Sequence, residues 1–184
     1  MISRSFRRFW ADTSAAVAFE TVLLLPLLIW AFVGSFVFFD AFRTYNTSVK
    51  ATYSVADLIS RQRSMIYSDD IEGYANILTH IIRDTPPVRM RVTQIGMVNG
   101  NYQVDWSHGV NGAARLFTTT LPQVEEHLPL MGNGERVVLV ETTVAYDPPF
   151  DLGLTNIDFQ NFTLVRPRYA GQVPFDDEED APSS

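Results

Sequence analysis

The sequence predicts an α+β protein in which a long amino-terminal transmembrane helix continues into a small extracytoplasmic domain with an antiparallel sheet. Three observations predict it. Ala15 to Phe39 is an almost unbroken apolar run, the helical spacing of large residues continues past it to about Arg61, and from Val88 onward the apolar period changes to two.

The apolar run comes first. It is about 25 residues long, and at 1.5 Å per residue a helix needs roughly 20 to cross a hydrocarbon core about 30 Å thick. Tilt absorbs the excess. Its one ionisable residue is Glu20, whose carboxylate either stays near the lipid headgroups or meets a partner inside a protein assembly. Pro26 removes a helical hydrogen bond and can kink the segment. Gly34-Ser35 is a small patch suited to close helix approach. Arg4, Arg7 and Arg8 precede the run, whereas Asp40 follows it directly and only Arg43 and Lys50 lie nearby downstream. That bias places the amino terminus in the cytoplasm, with Trp10 as an interfacial anchor. A secretory signal peptide is the rival, with a shorter apolar core and a small-x-small cleavage site that this run lacks.

Beyond the run, Phe38, Phe42, Tyr45, Val49, Tyr53, Ala56 and Ile59 recur at steps of three or four, so the helix extends to about Arg61 with one apolar stripe. Two surfaces fit the stripe: the chain's own folded domain, or equivalent helices of other subunits. Ser68 caps a second helix with Asp69 and Asp70 in its first turn and an apolar face of Ile71, Tyr74, Leu78 and Ile81 or Ile82, ending before Pro86-Pro87. Val88, Met90 and Val92 then alternate with Arg89, Arg91 and Thr93. Asn99-Gly100 supplies a hairpin turn before Tyr102 to Trp106. A short helix interrupted near Pro122 fits Ala113 to Leu128, and Gly132-Asn133-Gly134 marks another turn.

Glu135 to Tyr146 carries the strongest strand pattern. Val138, Val140, Thr142, Val144 and Tyr146 fall on one side, with Val137, Leu139, Glu141, Thr143 and Ala145 on the other, and Pro148-Pro149 ends it. A last strand spans Phe159 to Val165. The acidic run Asp176 to Asp180 reads as a solvated, disordered tail. The organisation is therefore a basic leader-like segment (1–15), a transmembrane helix (16–39), an amphipathic extension (40–63), an extracytoplasmic domain (64–169) and an acidic tail (170–184).

Composition limits the chemistry. The 184 residues contain no cysteine, which excludes disulfides, thiolate catalysis and cysteine-ligated metal centres. With 14 basic against 21 acidic residues the formal charge is -7, unsuited to broad binding of phosphate backbones, so no nucleic-acid partner is expected. The sequence lacks HExxH, GxxxxGK[ST] and a strand-linked GxGxxG. His80 pairs at helical spacing with Asp84, and His127 follows Glu125-Glu126 without metal-site spacing. Asp105 and His108, flanking Trp106, are the best acid/base pair, and they lack a nucleophile. Neither catalysis nor a cofactor is expected.

The basic leader, the patch Ser14-Ala15-Ala16-Val17-Ala18, then Phe19-Glu20, the apolar run with Pro26 and the extended helix together resemble the TadE/TadG-like pilus assembly family of tight-adherence minor pilins and pseudopilins. The strand Val137 to Val144, the Tyr146-Asp147-Pro148 break and Val165-Arg166-Pro167-Arg168-Tyr169 resemble it more weakly. The resemblance implies a non-enzymatic subunit of the inner membrane, with other pilin-like subunits, the inner-membrane pilus assembly machinery and the lipid bilayer as partners. It also implies a prepilin peptidase cutting between Ala15 and Ala16, although Ala15 stands where family leaders carry glycine. Glu20 would then meet the new amino terminus at Ala16 of a neighbouring subunit. The alternative reading is a single-pass envelope protein that keeps its amino terminus and binds a protein or surface polymer.

Overall fold

The computed structural model describes residues 13–82, 87–150 and 157–177. Helix α1 runs unbroken from Thr13 to Ser60 through Pro26, close to the end expected from the apolar spacing. The residues from Val17 to Ser60 are long and apolar enough to cross a membrane. Leu23, Leu28, Trp30 and Phe32 are all exposed, an apolar surface far larger than a water-facing helix carries. The hydroxyls within it are satisfied locally. Thr21 Oγ1 donates to the Val17 carbonyl and Ser35 Oγ to the Ala31 carbonyl, each at 2.8 Å, as a low-dielectric surrounding demands. The chain thus carries a candidate membrane-anchor helix followed by a small β domain.

Compactness divides the chain into two units, with the boundary inside α1 between Phe42 and Arg43. The second unit contains the end of α1, then β1 (Ile66–Tyr67), α2 (Ser68–Ile82), β2 (Arg89–Val98), β3 (Asn101–Val110), β4 (Arg136–Tyr146), β5 (Ile157–Val165) and β6 (Phe175–Asp176). Four strands form one antiparallel sheet in the order β3-β2-β4-β5, while β1 and β6 form a separate parallel pair. The β2–β3 turn has Asn99 at φ 53° and Gly100 at φ 79°, the two left-handed residues of a tight hairpin. Opposite Gln94 and Ile95 the register shifts, so Asp105 is an extra residue that bulges β3.

The sheet has a core on each face, as the alternation in β4 predicts. Val138, Val140 and Val144 join Met90 and Val92 of β2 against the end of α1 and the Ile71, Ala75 and Leu78 face of α2. Val137 and Leu139 point the other way, into a second cluster with Ile95, Leu116 and Leu121. Leu121 and its neighbours belong to two short 3-10 turns, Leu121–Gln123 and Glu125–His127, in place of the interrupted helix expected there. Pro122 lacks the N–H that a longer helix would use. This is a long apolar helix packed by its carboxyl-terminal turns on a four-stranded antiparallel sheet, a pilin-like layout.

Two expectations need correction. The expected stripe of α1 packs within the chain only at its carboxyl-terminal end: Phe38, Phe42 and Tyr53 are exposed and Tyr45 is only partly covered, while Ala56 and Ile59 are buried together with Ser48, Ala51, Thr52 and Val55. The reason is close approach. Thr52 Oγ1 lies 2.7 Å from Thr142 Oγ1 on β4, and Asn161 Nδ2 of β5 donates to Ser48 Oγ at 3.0 Å, contacts that large side chains would prevent. Part of the segment expected as a disordered tail is also folded. Val173 is fully buried, β6 pairs with β1, and Phe175 stacks on Trp106 with ring centres 4.6 Å apart. Residues 178–184, the remainder of that tail, lie outside the described residues, as do residues 1–12 of the leader and residues 83–86 and 151–156.

Candidate functional site

The residues singled out in the apolar run all fall on α1. Ala15 and Ala16 lie in its first turns, and Glu20 is exposed one turn after Ala16. At about 100° per residue, Gly34 returns to within roughly 40° of Glu20, as does Ala16, whereas Pro26 is offset by roughly 120°. Glu20 and Gly34 are about 21 Å apart along the axis on that face. A Cβ added at Gly34 would meet no atom within 4 Å in this chain, so nothing within the described residues requires glycine there. The face combines one carboxylate with small residues in an otherwise large-residue helix. Chemically it can accept a cation or an ammonium group in an apolar setting and admit a close helix neighbour.

The candidate acid/base pair is not brought together. Asp105 Oδ2 accepts from Gln94 Nε2 and from Arg136 Nε, both at 2.8 Å, which commits it to structure at the bulge. His108 is directed elsewhere, with its ring against Phe175 and its Nδ1 3.9 Å from Asp177 Oδ1. Asp177 Oδ2 in turn accepts Arg115 Nη1 at 2.5 Å. Asp105, Arg115, Phe175 and Asp177 border a cleft of about 410 Å³ beside β3, which also takes in Trp106, Ser107 and Phe117 but not His108. Trp106 Nε1 donates to the Val173 carbonyl at 2.9 Å, and Gln94 Oε1 accepts the Val173 N–H at 2.7 Å, so the segment before β6 is fastened at both polar ends.

Sequence reasoning missed this carboxyl-terminal clamp. Val173-Pro174-Phe175 was the available signal, an apolar pair at strand spacing before the acidic run. His127 lies edge-on to Phe162 at 4.4 Å, and His80 is exposed on α2; its expected partner Asp84 lies outside the described residues. Among the described residues no three His, Asp or Glu side chains are grouped to hold a metal ion.

No protein-family model, curated protein or solved structure matches this chain.

Proposed function

We propose that the chain is a non-enzymatic, membrane-anchored minor pilin or pseudopilin that takes part in assembling a tight-adherence type pilus or secretion system. The observation that carries this reading is the division of labour within α1: apolar and exposed from Val17 through Phe36, then small, hydroxyl-rich and packed on a sheet from Ser48 to Ser60. An anchor that only tethered a domain would not need one continuous helix to do both. The resemblance of Ser14 to Glu20 to a TadE/TadG-like processing region supports the same reading, as does the carboxylate on an otherwise apolar face.

In this reading the α1 anchor lies in the inner (cytoplasmic) membrane, with Arg4, Arg7 and Arg8 on the cytoplasmic side and the sheet domain outside. A prepilin peptidase cuts between Ala15 and Ala16. The Ala16 ammonium of one subunit then pairs with Glu20 of its neighbour, which offsets the cost of desolvating either charge alone. Gly34 allows close helix approach, Pro26 adjusts the helix path, and inner-membrane assembly machinery receives the subunit.

Two measurements test this. Intact mass and amino-terminal sequencing of protein isolated from membranes should give a chain starting at Ala16; a chain starting at Met1 favours the uncleaved single-pass envelope protein instead. Glu20→Ala should insert in the membrane as the parent does and yet lose recruitment to the assembly by crosslinking. Unchanged recruitment and unchanged filaments would remove the Glu20 pairing from the mechanism.

A further inference from the structure

One end of the second unit is basic although the chain as a whole is acidic. Arg61 and Arg63 follow the last turn of α1, Arg166 and Arg168 follow β5, and the Arg168 N–H donates to the Ser60 carbonyl at 2.9 Å, which holds the two segments together. All four side chains are exposed. Asp57 is shared, accepting from Arg61 Nε at 2.9 Å and from Arg168 Nη2 at 2.7 Å. Glu135 lies 3.4 Å from Arg166 Nη2. Arg63 meets no carboxylate among the described residues and sits 4.2 Å over the exposed Tyr169 ring. Among the described residues four guanidiniums therefore face two carboxylates, and the surplus positive charge is presented to solvent beside an aromatic ring.

We propose that this arginine surface receives the acidic run Glu178-Glu179-Asp180 of a second copy of the chain. Guanidinium forks take carboxylates two oxygens at a time, and several such pairs together give a specificity that single exposed pairs lack. The chain itself supplies the complementary charge, since Asp176 to Asp180 is a run of consecutive acidic residues. The anchoring of the segment before the run favours a second copy over the same one. The Ile66 N–H donates to the Pro174 carbonyl at 2.9 Å, and β6 then runs parallel to β1, placing Phe175 beside Ile66 and Asp176 beside Tyr67. Asp177, the last described residue of the chain, is held at Arg115 and not at the arginine surface. The contact goes beyond the assembly reading and needs neither leader cleavage nor Glu20.

The absence of cysteine makes the test clean. Two differently tagged full-length copies, R166C and E179C, are co-expressed and oxidised in membranes. A disulfide-linked heterodimer is expected, several-fold more abundant than when K50C replaces R166C, and reduced several-fold by 0.5 M salt or by adding R61E and R63E to the R166C copy. The R61E/R63E chain is checked for a parental melting curve, and R63E alone serves if the pair melts lower. Equal yields with K50C, or insensitivity to the arginine reversals, overturns the proposal. So does bonding only within one chain when both cysteines share it. Persistence of the R166C–E179C yield with E178K and D180K in the tail, together with its loss to added inorganic polyphosphate, assigns the surface to a different anion and likewise overturns it.

Discussion

Gly109→Ala is expected to lower the stability of the outer domain by roughly 3 kcal/mol, because the new methyl would overlap backbone. Gly109 lies near the end of β3, and a Cβ built there overlaps the Ala113 carbonyl oxygen and lies 2.9 Å from its carbon. No flexible side chain is available to yield. Ala113 is in turn tied by its own N–H to the Val110 carbonyl at 3.2 Å, so relief must come from moving the turn that leads to Leu116 and the outer core. Scanning calorimetry of the detergent-solubilised chain should show a melting temperature lower by about 6–12 °C. Gly73→Ala is the control. Its added methyl on α2 meets nothing within 4 Å, and the gain in helix propensity of about 1 kcal/mol should raise the melting temperature. Equal melting of Gly109→Ala and the parent would show that the Ala113 turn relaxes freely.

Ile59→Ala should cost about 2–5 kcal/mol, the range for truncating a buried aliphatic side chain, and Tyr53→Ala less than about 0.5 kcal/mol. Ile59 is fully buried where the last turns of α1 meet β4 and α2, whereas Tyr53 is 57% exposed two turns earlier. Urea titrations followed by circular dichroism would separate the two. A comparable loss for Tyr53→Ala would mean that the aromatic stripe, and not the small-residue stripe, holds the helix to the sheet.

That contrast also shows what was legible in the sequence. The length of α1, the second helix, the β2–β3 hairpin and the two-sided pattern of β4 follow from periodicity and turn chemistry that local residues enforce. Which face of α1 packs does not follow from hydrophobicity, because Ser48 and Thr52 are buried through hydrogen bonds to Asn161 and Thr142, partners 113 and 90 positions away. The same distance hid the carboxyl-terminal clamp. Val173 is held by Gln94 and Trp106, two side chains whose proximity depends on the β2–β3 pairing and the bulge at Asp105. Asp105 and His108 take separate partners for a related reason, Arg136 for one and Phe175 for the other. Glu20, Ala16 and Gly34 share a face because helical geometry alone puts them there.

The hydroxyl contacts beneath α1 give the helix a single indexed seat. A slide of one turn, about 5.4 Å, that brought Ala56 to the place of Thr52 would leave the Thr142 hydroxyl against a methyl group. The opposite slide would keep hydroxyls in place by way of Ser48 and Thr44, but it would put Val55 in the socket of Ile59 and open a void there. Axial pull on the helix therefore has no soft, ratchet-like response within this domain: the rod stays seated until the hydroxyl bonds and the Ile59 socket give way together.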